Sequence, residues 1–425
     1  MLSEIQKLEL LTNLAVDLNR IADLDLLMEK ILTEARRFAG ADAGSIYIRE
    51  NDDLHFSYTQ NATLQKKLPA GAKLIYSTFS VPINQYSLAG FAAHSGRSLN
   101  IPDVYEMDPA LPYHFSRNFD EASGYRTRSM LTIPLITSRQ AVVGVLQIIN
   151  AQDETGRIVP FSEEDERMMF HFAASATVAL ERARMTRAMI LRTIRLAEMR
   201  DPKETGAHVN RVGAYSVEIY EYWASGKGHP QKEIDAKRDI FRMAAMLHDV
   251  GKVGVSDNIL KKPGRLTPKE FEIMKGHTMM GARLFLDRQS EFDDAAGDVA
   301  LNHHERWDGQ GYPGYVDLLT GRPLLDRIAA DGRPSGKAGQ DIPLFGRIVA
   351  IADVYDALCS KRVYKPAWEE SEALKVLEEM NGKQFDPELI EAFFSCLDVI
   401  RAIRERYPDE KETGHEDAPV PSPNI

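Results

Sequence analysis

At 425 residues the chain is longer than one hydrophobic core normally serves, so two or three domains are expected. With 44% apolar residues, 27% charged residues and a net charge of −11, it reads as an ordinary soluble protein, and that charge argues against indiscriminate DNA binding or a basic membrane-surface role. Its two cysteines, Cys359 and Cys396, exclude a disulfide scaffold and fit a reducing compartment.

The first residues, MLSEIQKLELL, carry Glu4 and Glu9 inside an apolar pattern and so do not read as a signal peptide. No run approaches the ~18 apolar residues of a membrane span. A cytoplasmic setting is expected. Residues 1–40 read as helix, because Leu2, Ile5, Leu8, Leu11, Leu14, Leu18 and Ile21 recur at three- and four-residue steps. From about 44 the period shortens. SIYIRE, LHFSYTQ, SLNIPDV, SMLTIPLIT and AVVGVLQIIN are short β-branched and aromatic runs separated by turn formers, which predicts an α+β domain over 1–162.

Ser162 followed by Glu163, Glu164 and Asp165 marks a helix N-terminus. The helix runs over 163–200 without Gly or Pro. Its positions 169, 173, 176, 180, 183, 187, 190, 194 and 197 form an alternating four/three seam that only Arg187 interrupts. We read this as a linking, coiled-coil-like helix that joins two copies of the chain; packing on its own domain is the alternative.

From 201 to about 405 the pattern is mostly helical, and potential metal ligands gather. Glu204 and His208 stand four apart, on one helical face. His248 and Asp249 are adjacent, so they point about 100° apart on a helix and serve different ions unless the carboxylate bridges. His303 and His304 repeat that adjacency. Thr267-Pro268-Lys269-Glu270 is a capping box with Pro at the first helical position, which places His277 on the helix that it starts. Asp353 completes the set. Nitrogen and carboxylate oxygen without thiolate suit Fe, Mn or Zn in a site of more than one metal, and a cluster of this kind belongs to a hydrolase that activates water. No Ser/His/Asp or Cys/His nucleophile signature is present. Residues 315–341 read as a long loop, and the Pro-rich acidic tail, 406–425, reads as disordered.

The segments HDVGK, NHHERWDGQGYP and IADVYDAL, in this order, resemble the HD-GYP family, over roughly residues 195–400. The resemblance implies an all-α domain that hydrolyses cyclic di-GMP, with two or three divalent ions, Fe or Mn. It makes Glu204, His208, His248, Asp249, His277, His303, His304 and Asp353 the ligands, and the ETGAH form resembles the trinuclear subclass. Lys252, Arg362 and Lys365 are expected to bind the two substrate phosphates, with Lys252 and Asp249 at the reacting centre. Tyr312, in the loop Gly311-Tyr312-Pro313, is expected beside the substrate. That loop also implies a GGDEF-type partner. The stretch from Gly314 to Ile342 is longer than the family's usual passage, and a lid, a partner surface and a tolerated loop remain open. A non-hydrolytic signalling module would lack ligands, and none is missing here. Another cyclic dinucleotide, such as a cyclic GMP-AMP, remains open as substrate.

The first domain resembles a GAF domain through GYRTRSMLTIPL and through Asn150, Phe161, Asp165 and Glu166, which match the NKFDE signature of cyclic-nucleotide phosphodiesterases. Ala151 stands where that signature needs Lys, so its Lys–Asp pair cannot form. A cyclic nucleotide, another small ligand and a ligand-free dimerisation module are the open readings. Neither cysteine falls in this domain to anchor a haem or bilin. The expected architecture is therefore an α+β GAF domain, a long signalling helix and an all-α HD-GYP domain.

Overall fold

The structure, a computed structural model, describes residues 13–68, 79–198, 206–360 and 368–409. Glu204, Arg362, Lys365, the first twelve residues and the tail beyond 409 lie outside them. The chain divides into two compact units, the first comprising 1–192 with 229–243 and the second 193–228 with 244–425.

In the first unit, helix α1 (Leu24–Phe38) is capped by the Asp23 carboxylate, which accepts from the amides of Asp25 and Leu26. The sheet comprises β1 (Ala41–Glu50), β2 (Asp53–Asn61), β3 (Ser80–Pro82), β4 (Leu99–Ile101), β5 (Met130–Ile136), β6 (Val142–Gln152) and β7 (Ile158–Val159). Its order is β3-β2-β1-β6-β5-β4, antiparallel, with β7 also on β6. Helix α2 (Leu88–Ser95) packs against β5 and β6. The period of two gives the sheet two faces. Ile46, Ile48, Leu131, Ile133, Leu135, Leu146 and Ile148 point into the main core.

That core also takes the predicted seam. Helix α3 (Glu163–Glu198) starts where Ser162 and Asp165 cap each other, the Asp165 amide donating to Ser162 Oγ at 3.1 Å and the Ser162 amide to Asp165 Oδ2 at 2.9 Å. Met169, Ala173, Ala176, Leu180 and Ala183 are at most 3% exposed and pack with α1 and the sheet. The first half of the seam is thus filled from within its own unit, not by a partner helix. Arg187, the one polar interruption, pairs with Asp25 at 3.2 Å.

The GAF-signature residues are also structural. Asn150 accepts from the Arg128 amide and donates to the Arg126 carbonyl and Tyr125 Oη, so it shapes the GYRTRS segment. Phe161 is in the core, Asp165 caps α3, and Glu166 accepts from Ser98 Oγ at 2.8 Å.

The second unit is helical. Helix α4 (Gly206–Gly226) packs against α8 (Leu344–Cys359), α10 (Pro387–Ser395) and α11 (Leu397–Arg406). Helix α5 (Gln231–Met246) reaches this unit with its last residues, 244–246. Between them in sequence come α6 (His277–Arg283) and α7 (Glu291–Asn302), which pack on each other, and α9 (Glu370–Glu379) lies on α8. The capped helix before α6, Pro268–Lys275, ends one residue short of Gly276, so His277 opens the next helix instead of riding on the one that Thr267 starts. The expected disordered tail begins too early: Arg406 closes α11, and Tyr407 and Asp409 both hold Arg211.

Candidate metal centre

Each donor is placed by local structure. His208 sits in the first turn of α4, His248 and Asp249 follow the end of α5, His277 opens α6, His303 and His304 follow α7, and Asp353 lies mid-way along α8. The glycine of HDVGK lets these segments meet. A Cβ on Gly251 would lie 1.9 Å from the His277 carbonyl oxygen and 2.3 Å from the Gly281 nitrogen, so only glycine brings the His-Asp pair against α6.

Two groups of donors result. Asp249, His277, His303 and His304 form one and His208, His248 and Asp353 the other, with the donor atoms of each group within 4.8 Å of one another. Asp249 lies between them. Its Oδ1 is 3.1 Å from His277 Nε2 and 3.6 Å from His303 Nε2, while its Oδ2 is 3.3 Å from His248 Nε2. Asp353 Oδ1 is 3.6 Å from His208 Nε2 and 4.0 Å from His248 Nε2.

Four of the imidazoles face the centre with one nitrogen because the other is engaged. Nδ1 of His248 reaches the Ala245 carbonyl at 2.9 Å, that of His277 the Met274 carbonyl at 2.7 Å, and that of His303 the Val299 carbonyl at 3.0 Å. His208 Nδ1 reaches Asp356 Oδ2 at 2.8 Å. A carbonyl or carboxylate only accepts, so each Nδ1 carries a proton, and in the neutral ring Nε2 presents a lone pair. His277 and His303 then aim two lone pairs at each other across 3.4 Å. A cation relieves that repulsion. Burial lowers the proton affinity of His303, and lowers that of His304 further, so both favour the neutral, metal-binding form. The residues fit a metal by tautomer, charge and spacing.

Lys252 Nζ lies 2.8 Å from Asp249 Oδ2. Tyr312 lies beside the site: its ring packs on His304, centroids 4.8 Å apart, and its amide donates to the His304 carbonyl. Burial raises its phenol pKa, so the group stays protonated and can donate. Gly311 is tied to the same turn, since a Cβ there would meet the Arg306 nitrogen at 2.4 Å, and Pro313 precedes the positive-φ Gly314.

Sequence reasoning missed four residues. Asp356 backs His208; burial pushes its carboxyl up, but the hydrogen bonds from His208 and Arg211 prevail and hold it at about 2. Arg211 grips Asp356 through two nitrogens, at 2.6 and 2.9 Å. Glu305, 2% exposed, accepts from the amides of Gly314 and Lys337, so it clips together the two ends of the long insertion. Lys337 Nζ also donates to Asn302 Oδ1, just before His303. The three-residue steps from Asp353 to Asp356 and from His208 to Arg211 were the available signals for two of these; Lys337 meets Glu305 and Asn302 only across 32 and 35 residues.

The HD domain family matches residues 205–358 and the GAF domain family residues 23–180. A relative from Vibrio cholerae serotype O1 named "Cyclic di-GMP phosphodiesterase" is 39% identical over 219 residues, 50% of this chain and 40% of its own length. Another from that organism, named "Probable cyclic di-GMP phosphodiesterase", is 37% identical over 333 residues, 77% of this chain and 68% of its own. A third, "3'3'-cGAMP-specific phosphodiesterase 2", is 36% identical over 207 residues, 49% of this chain and 34% of its own. The chain spans less than two thirds of the first and third of these. A helical unit that gathers a His-Asp pair and further histidines into a candidate metal cluster is an HD phosphohydrolase domain, a metal-dependent class. With a GAF domain ahead of it and relatives of this kind, the chain belongs to the HD-GYP family. Among the described residues, no helix is long and apolar enough to cross a membrane.

Proposed function

We propose that the chain is a cytoplasmic, metal-dependent phosphodiesterase that opens cyclic di-GMP to linear pGpG and carries it on to GMP. The carrying observation is the pair of donor groups joined at Asp249, with histidine Nε2 lone pairs turned inward. His208, His248 and Asp353 would hold one ion and Asp249, His277, His303 and His304 another, Asp249 being shared; Glu204 would add a third. Bound Fe or Mn supplies Lewis acidity, which makes water nucleophilic near neutral pH and draws charge from the phosphate.

The remaining work falls to the chain. Each cleavage consumes one water: its oxygen bonds to phosphorus, the bond to the 3′ oxygen breaks, and that oxygen takes a proton. Lys252, already held by Asp249, orients a non-bridging phosphate oxygen. Arg362 and Lys365 would grip the second phosphate. Tyr312 steadies His304 and offers its protonated phenol to the substrate.

A small ligand of the GAF domain, a cyclic nucleotide among the candidates, would regulate turnover. Dimerisation would use the outer face of α3, where Phe170, Val178, Met185, Met189 and Leu196 are exposed at four-, seven- and eight-residue steps. The GYP loop would meet a GGDEF-type partner. The second reading keeps the enzyme and changes the substrate to 3′3′-cGAMP, favoured by the relative of that name. Purified protein reconstituted with Fe or Mn, given each dinucleotide side by side and analysed by chromatography, tests both. Faster loss of cyclic di-GMP with pGpG appearing first is expected; intact substrates across the metal series and across added cyclic nucleotides would overturn the proposal.

A further inference from the structure

The histidines of the centre are not all held alike. His248, His277 and His303 rest Nδ1 on carbonyls of their own helical turns. His208 rests its Nδ1 on a side chain 148 residues away, Asp356, which is completely buried. Behind Asp356 stands Arg211, 2% exposed. Its guanidinium places Nε on Asp356 Oδ1 and Nη2 on both Asp356 Oδ2 and Ser360 Oγ. Nη1 reaches the Tyr407 carbonyl at 2.8 Å and Asp409 Oδ1 at 2.9 Å. Four hydrogen bonds and the ion pair with Asp409 engage all three nitrogens of the guanidinium, which holds the planar group in one orientation. Three of those contacts are to the Asp356–Ser360 turn of α8, and two are to the residues that follow α11.

We propose that residues 407–409 act through Arg211 and Asp356 as a positioning relay that sets the metal affinity of the His208, His248 and Asp353 group alone. The inference rests on the metal reading of the centre, not on the identity of the substrate. A carboxylate behind an imidazole fixes the ring and makes its far nitrogen a stronger donor. The Asp249, His277, His303 and His304 group has no side chain of the relay behind any of its histidine Nδ1 contacts given above, so loosening the relay leaves that group unchanged. Ser360 steadies the arrangement by donating to Asp356 Oδ2 at 3.2 Å. Asp409 is the exposed end of the relay, 42% exposed against 0% for Asp356, and so it can be altered without opening the interior.

The test is binding of Mn²⁺ alone by the full-length chain, measured by elemental analysis after equilibration against a series of buffered free Mn²⁺ concentrations. The step that disappears in His208→Ala identifies the group. In Asp356→Asn that step is expected to weaken about 10- to 100-fold while the other holds its midpoint. In Asp409→Ala the same step shifts in the same direction by less. Equal weakening of both steps, or no shift in a folded Asp356→Asn protein, overturns the relay. If Asp356→Asn does not fold, Asp409→Ala decides: a selective shift supports the relay and unchanged midpoints overturn it. A wild-type chain that binds no Mn²⁺ would instead refute the metal reading itself, which keeps the two failures apart.

Discussion

Asp249→Asn is the sharpest probe of the centre, because this one carboxylate borders both donor groups. Its Oδ1 faces His277 and His303 at 3.1 and 3.6 Å, and its Oδ2 faces His248 at 3.3 Å and Lys252 at 2.8 Å. Asparagine keeps the shape and removes the charge. Two unit charges 4 Å apart interact by about 4 kcal/mol at an effective permittivity of ~20, and a ligand and a divalent ion are closer and more highly charged. At about 1.4 kcal/mol per decade, the loss is on the order of 10³ in affinity for each ion that the carboxylate serves. Asp353→Asn is the control: its nearest histidines are His208 and His248, of the second group only.

Manganese binding followed against buffered free metal, with turnover measured in parallel, should show both steps weakened by Asp249→Asn and one by Asp353→Asn. Far-UV circular dichroism checks that the helices persist. If Asp249→Asn weakens a single step, or if the two variants cannot be told apart, the carboxylate does not join the groups and the polynuclear reading of the His-Asp pair fails.

Gly251→Ala should destabilise the protein by about 3 kcal/mol or more, since its Cβ would overlap the backbone of His277 and Gly281 and neither is free to swing away; thermal unfolding and metal content should fall together. Replacing residues 316–334 by a short Gly/Ser link should leave turnover within about twofold, because Tyr315 and Ser335 already share a 2.9 Å backbone hydrogen bond and Glu305 clips the base beneath them; a steady-state assay checks that the insertion is no lid. Glu270, hydrogen-bonded by Lys262 and by the Thr267 amide and hydroxyl, has its carboxyl lowered to about 2 from 4.5. A depressed folded pKa gives stability that is present above about 4.5 and lost as pH falls toward 2, so the difference in melting temperature between wild type and Glu270→Gln should shrink over that window.

What the sequence disclosed and what it hid divide by the distance over which residues act. The sheet strands over SIYIRE, SMLTIPLIT and AVVGVLQIIN follow from their β-branched and aromatic runs between turn formers, and β1, β5 and β6 fall there with most of their residues buried on both faces. The two-residue strand β7 and the three-residue β3 carry no period and left no signal. The α3 seam shows how periodicity misleads. Spacing registers an apolar stripe but not what covers it, and a sheet with its own apolar face buries Met169 to Ala183 as well as a second helix would. The same limit applies inside the site. Asp353 and Asp356 stand three apart, about 60° around a helix of 3.6 residues per turn, so they share a face and both were legible as acidic neighbours. Their spacing could not separate the carboxylate that faces the ions from the one that stands behind the imidazole. That separation depends on α4, whose His208 and Arg211 are themselves three apart and meet the same stretch of α8. Two i,i+3 pairs on packed helices therefore build the ligand and its support together, and exchanging Arg211 with Asp356 as a charge-swapped double variant should fold poorly, because His208 would then face a guanidinium that cannot accept its Nδ1 proton.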